Sequence, residues 1–186
     1  VLSATVIASD IDPLDTLTYS YTWFSGDSVL VDTSDTLDGA SAFEKGETIS
    51  VEVVANDGLV DSLVVRSEAI TIVNTVPEAP AVSIQPEFAK AGLDDLFCQI
   101  DVEASDSDDD PIDYSVLWTV DGEVYTGAVE TTVHTGDTVV ASEAVSRQVW
   151  GCTVTPNDGE ADGPSATSDD AIIVRSCYDL ACADAK

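Results

Sequence analysis

The sequence predicts an all-β protein, two antiparallel β-sandwich domains in tandem joined by a short Pro-containing linker, and three observations carry that prediction. An acidic stretch, Ala104-Ser105-Asp106-Ser107-Asp108-Asp109-Asp110-Pro111, recurs in shortened form as Ala8-Ser9-Asp10-Ile11-Asp12-Pro13. Each copy leads into a period-two pattern ending at a tryptophan: Tyr19, Tyr21, Trp23 in the first and Tyr114, Val116, Trp118 in the second. Each is answered later by Asn-Asp-Gly, at Asn56-Asp57-Gly58 and Asn157-Asp158-Gly159. These residues tolerate positive φ and so mark the turn after a strand. A repeat of this length divides the 186 residues into two small domains.

The elements follow in order. Leu2, Ala4, Val6 and Ala8 alternate onto one face, and Cys98, Ile100, Val102 and Ala104 repeat that face, which places Leu2 opposite Cys98 in the alignment of the copies. The tryptophan strand comes next in each copy. A later strand reads Ile49, Val51, Val53 and then Trp150, Cys152, Val154, and closing strands are expected at 69–73 and 171–174. No segment shows a capped helical period. Between the copies, Asn74-Thr75-Val76-Pro77-Glu78-Ala79-Pro80 is stiffened by two prolines and reads as a semi-rigid linker. Strand 81–84 then opens the second domain. The expected division is 1–76, 77–176 and a tail of 177–186. On this alignment the first domain lacks its opening strand: either the polypeptide extends upstream, or another chain donates that strand to an open sheet edge.

Cys98, Trp118 and Cys152 stand in the order and approximate spacing of an immunoglobulin-type core. With the acidic loops, the Asn-Asp-Gly turns and the linker, the pattern resembles the tandem immunoglobulin-like repeats of large bacterial surface proteins, a group that shades into PKD-like and cadherin-like repeats. The resemblance implies two immunoglobulin-like sandwiches, a Cys98–Cys152 bridge packed on Trp118, and a role as stalk, spacer or adhesive module that binds calcium at domain tips. In the first copy Leu2 and Val51 are expected to replace the bridge while Trp23 is kept. The chain lacks the cadherin Asp-x-Asn-Asp-x-Ala-Pro linker and the Trp-Asp-Phe-Gly-Asp-Gly core of PKD repeats. Cys177 and Cys182 either close a short local loop or bridge to a neighbouring module.

Composition narrows the function classes. With 36 Asp+Glu against 6 Lys+Arg, a net charge of -30 argues against a nucleic-acid backbone or an anionic membrane as partner. Hydrophobic content of 44% is too high for a disordered acidic tail, so the charge belongs on the outside of folded domains. Four cysteines point to an extracellular or cell-surface location. Neighbouring repeats, and a surface glycan or protein, are the expected partners, with no membrane insertion.

Alternating Asp side chains supply the hard oxygens that Ca²⁺ favours. Asp106, Asp108, Asp110 and Asp113 are expected to approach Asp158, as Asp10, Asp12 and Asp15 approach Asp57, with Asn74 or Glu78 of the linker adding ligands and stiffening the junction. The competing reading is a solvated acidic turn with no metal. An EF-hand does not fit, since Pro111 stands where its Gly belongs and Leu117 where its terminal Glu belongs. No enzymatic motif emerges: His134 is the sole histidine, and there is no Gly-x-Ser-x-Gly elbow or phosphate-cradling Gly loop. The chain is therefore read as a non-enzymatic structural or adhesive module. Its rivals are a carbohydrate-recognising module using Tyr125 or Phe43, a filament subunit assembling by strand donation, and a surface adapted to high salt.

Overall fold

The computed structural model describes residues 1–12 and 14–175. Cys177 and Cys182 lie outside the described residues. The chain divides into two units, Val1–Asn74 and Thr75 onward. The second unit thus begins two residues before the expected boundary, because Thr75 and Glu78 are hydrogen-bonded to its acidic loop.

Unit 1 contains β1 (Leu2–Ser3), β2 (Thr18–Ser25), β3 (Ser28–Val29), β4 (Thr36–Leu37), a single helical turn α1 (Gly39–Ala42), β5 (Thr48–Asn56), β6 (Val65–Arg66) and β7 (Ile70–Thr71). One sheet is the pair β1-β4; the other runs β3-β2-β5-β6, with β7 also on β5. Trp23, Leu37, Ile49 and Val51 are the buried centre, and the Trp23 indole N–H donates to the Ser34 carbonyl at 2.9 Å. The alternation in β2 and β5 is what makes this possible, since every second side chain turns to the same face.

Unit 2 repeats the plan with one strand more: β8 (Ala81–Gln85), β9 (Leu96–Val102), β10 (Asp113–Val120), β11 (Glu123–Val124), β12 (Thr138–Val139), β13 (Val149–Asn157), β14 (Ala166–Thr167) and β15 (Ala171–Ile172). Its sheets are β12-β9-β8 and β11-β10-β13-β14, with β15 on β13. The β10–β11 hairpin closes on Asp121-Gly122, both at positive φ (52° and 86°), the backbone that a two-residue turn between twisted strands requires. Cys98 on β9 is bonded to Cys152 on β13, Cα–Cα 6.2 Å, which staples the two sheets. Trp118 is paired beside Cys152, and its ring meets Trp150 edge-on at 6.2 Å. The Trp118 indole N–H donates to the Gly136 carbonyl at 2.9 Å, the counterpart of the Trp23 bond.

Those matching bonds fix the alignment of the copies and correct one expectation. Ser3 pairs with Thr36 as Phe97 pairs with Thr138, and Leu2 pairs with Leu37 as Leu96 pairs with Val139. The Ala4 N–H donates to the Asp35 carbonyl as the Cys98 N–H donates to that of Asp137, both at 2.8 Å. Ala4, not Leu2, therefore stands where Cys98 does, and Val51 stands where Cys152 does. The error is a slip of two residues, which returns every side chain to the same face and so leaves the hydrophobic pattern unchanged. The strand expected over residues 1–8 is also shorter than its pattern, since only Leu2–Ser3 joins a ladder. The edge that β8 occupies on β9 has no strand on it among the described residues of unit 1.

Candidate functional site

The acidic turn of unit 2 is built from local backbone geometry. The Asp108 N–H donates to Asp106 Oδ1 at 2.7 Å, an Asx turn that folds the stretch back on itself. Asp109 then takes a positive φ of 58°, a conformation Asp accepts more readily than most residues. The result brings carboxylate oxygens of Asp106, Asp108 and Asp110 within 4.8 Å of one another, all three half-buried. At 4.8 Å and an effective dielectric of 20, each ionised pair repels by about 3.5 kcal/mol. Asp106 Oδ2 is buried and has no hydrogen-bond partner.

The segment leading into unit 2 is tied to this turn. The Thr75 N–H donates to Asp108 Oδ2 at 2.6 Å, the Glu78 N–H donates to the Ser105 carbonyl at 2.8 Å, and the Ser105 hydroxyl donates to Glu78 Oε2 at 3.1 Å. On the other side, the Tyr114 hydroxyl accepts from the Ala104 N–H at 2.8 Å. Strand β10, the lead-in segment and the turn are thereby held together. Asn74 belongs to unit 1, where its Oδ1 accepts from Lys45 Nζ at 3.0 Å.

The other predicted ligands have contacts of their own. Asp113 opens β10, paired with Asn157, and is in neither acidic group. Asp158 is buried and spends Oδ1 on the N–H groups of Glu160 and Ala161, both at 2.7 Å, while the Asn157 amide bridges to Asp162. Its function there is to fasten its own hairpin. Asp57 does the same in unit 1 with Leu59 and Val60, and these N–H donors, Val60 first, hold its carboxyl below the usual range. Asp10, Asp12 and Asp15 also come within 4.8 Å of one another, through an Asx turn in which the Asp12 N–H donates to Asp10 Oδ1 at 2.8 Å. That turn is more exposed than its counterpart.

The aromatic candidates are packed. Tyr125 lies edge-on to Trp150 at 4.8 Å and donates to Glu143 Oε2 at 3.2 Å; burial, reinforced by Glu143, pushes its phenol up. Phe43 packs on the core of unit 1. The His134 ring meets Tyr114 edge-on at 5.1 Å.

One buried carboxylate outside the acidic turns has a structural part. Asp137 is fully buried, and it accepts at Oδ1 from the Thr132 N–H (2.7 Å) and Thr138 hydroxyl (2.9 Å) and at Oδ2 from the N–H groups of Val133 and His134 (both 2.7 Å). Burial pushes its carboxyl up, but the donors of Thr132, His134, Val133 and Thr138 outweigh burial and leave it lowered. It organises residues 131–137 ahead of β12. The available signal is a Gly-Asp pair inside an otherwise strand-like Thr and Val run, which also describes many ordinary turns.

No protein-family profile matches the chain, and no curated protein matches it. Among solved structures, the FN1-FN3 domains of chicken CNTN1 align over 88% of this chain and 59% of theirs, with 14% identity and a TM-score of 0.40. Domains A168-A170 from titin align over 87% of this chain and 60% of theirs, with 12% identity and a TM-score of 0.44. The chain spans about 60% of the length of each of these structures.

Proposed function

We propose that this chain is a tandem β-sandwich module of an extracellular structural or adhesive protein, with the acidic turn of unit 2 as a calcium site. One observation carries the metal reading: Asp106, Asp108 and Asp110 converge half-buried, with Asp106 Oδ2 buried and unpartnered. A buried carboxylate oxygen without a donor is costly, and a hard cation satisfies it while relieving the repulsion among its neighbours. Asp106, Asp108 and Asp110 would hold the ion. Calcium supplies no chemistry here beyond charge neutralisation. Its consequence is mechanical: fixing the turn fixes Thr75 and Glu78, which are bonded to it, and so pins the lead-in segment to the sandwich. The disulfide supports an oxidising compartment.

The test is calorimetric titration of calcium into chelator-stripped protein, paired with thermal unfolding at matched ionic strength. Saturable binding, with the unit 2 transition raised by calcium but not by sodium chloride, is expected. At a free concentration a hundredfold above Kd the gain is about 2.7 kcal/mol. Asp106→Asn with Asp108→Asn abolishes both effects. Equal stabilisation by monovalent salt would show that the turn is only a screened acidic surface.

A further inference from the structure

Unit 1 carries an open groove of about 920 Å³ along residues 2–10, floored by Trp23, Val51 and Val53 and walled by Val65 and Ile70. Unit 2 shows what such a groove holds. There β8 runs antiparallel on β9, Ile84 facing Cys98 and Val82 facing Ile100, and turns both side chains into the core against β13 and β14. By the alignment that sets Ala4 at Cys98, the corresponding places in unit 1 are Ala4 and Val6. Residues 4–8 join no ladder among the described residues. The floor is correspondingly bare: Val53 is half-buried where its counterpart Val154 is 0% exposed, and Val65 is 67% exposed. An apolar trough of this size beside an unpaired strand edge is what a sandwich shows when one strand is withheld.

We infer that this groove is a strand-acceptor site, and that its occupant is an extended, uncharged strand of the β8 kind supplied by a partner chain, entering antiparallel to residues 2–8. The β8 strand of this chain is committed to unit 2 through its ladder to β9, so lending it would open the second core. Specificity follows from the walls. Apolar side chains at two alternate positions face Ala4 and Val6, while Asp10, Asp57, Asp61 and Glu68 on the rim disfavour an acidic strand. Ala81–Gln85, which carries no charge, has the required pattern. The lead-in to the strand differs from unit 2, where the Pro77 carbonyl lies so close to Gly163 that a Cβ there would overlap it. Unit 1 has Ser62 at that place, matched by its N–H bond to Ala55 as Gly163 is bonded to Pro156. The accepted strand therefore follows the β8 course and stands off at its start.

The probe is a dye-labelled synthetic peptide of residues 79–86, added to the full chain in chelator so that the result is independent of any calcium effect. Saturable binding is expected, with slowed amide exchange over residues 4–8. A peptide carrying Val82→Asp and Ile84→Asp should bind at least about tenfold more weakly, as should the wild-type peptide to a Val65→Asp chain, whose exposed substitution leaves the fold intact. A fusion placing residues 79–94 directly ahead of Val1 should raise the unit 1 melting transition by about 5 °C or more. No peptide binding together with an unmoved transition in the fusion would overturn the proposal. So would concentration-dependent dimerisation in which unit 2 loses protection over Ala81–Gln85, because the occupant would then be the strand of a second copy.

Discussion

Replacing Asp137 by alanine removes one buried carboxylate and takes the acceptor from four donors, of which the Thr138 hydroxyl keeps Thr132 Oγ1 at 2.7 Å. Thr132 and Val133 lie at the surface, where water takes over their N–H groups at little cost. The His134 N–H and the Thr138 hydroxyl are more enclosed. A hydrogen bond to a charged group contributes roughly 1.5–3 kcal/mol and a neutral one about 1 kcal/mol, so losing the His134 bond and exchanging that of Thr138 for a neutral one costs about 2–3 kcal/mol. Asparagine should be nearly as damaging, because both carboxylate oxygens accept and the amide must turn an NH₂ group toward one pair of donors. The pH dependence has a defined sign. The folded carboxyl is lowered, so its stabilisation is present above the unfolded pKa, about 3.9, and is lost as pH falls through the folded value. Urea unfolding followed by tryptophan fluorescence measures this, with the unit 1 transition as internal control. The reasoning is refuted if Asp137→Asn unfolds with the wild type at pH 7, or if the gap between them does not narrow on acidification below about pH 4.

Three further outcomes follow from particular contacts. Reducing the Cys98–Cys152 bond, whose partners are 54 residues apart, should destabilise unit 2 by about 4 kcal/mol and lower its melting transition by on the order of 20 °C, while unit 1 is unmoved. Calorimetry with and without reductant checks both parts. Gly163→Ala should destabilise unit 2 by about 1–3 kcal/mol by forcing the Pro77 carbonyl aside, with faster amide exchange at Glu78 as its local signature. Ala4→Cys with Val51→Cys should form a bridge in unit 1 under oxidising conditions and Leu2→Cys with Val51→Cys should not, as mass measurement after thiol labelling would show.

The sandwich was legible because its information is local and periodic. Tyr19, Tyr21 and Trp23, or Trp150, Cys152 and Val154, declare a strand and its buried face without reference to any partner. The acidic triads were legible for the same reason: residues at positions 106, 108 and 110 converge through a turn that they encode themselves. What the sequence concealed depends on pairing. Placing Leu2 rather than Ala4 opposite Cys98 satisfied the alternation equally well, and only the ladder to β4 distinguishes the two. The part that Asp57 and Asp158 play within their own hairpins was hidden too, because only the folded turn brings the N–H groups of residues 59–60 and 160–161 to their carboxylates. Asp137 was invisible because an Asp within a Thr-rich stretch looks solvated until the surrounding backbone wraps it.

The Cys98–Cys152 staple changes how the two units would yield to a pulling force. A covalent bond between β9 and β13 removes the 54-residue span between them from the length that unfolding releases, about 180 Å at full extension. Unit 1 has Ala4 and Val51 in place of the bridge, so its 74 residues would pay out about 250 Å once its sheets part. Under load the first unit gives the longer travel, and a change in redox state resets the reach of the second alone.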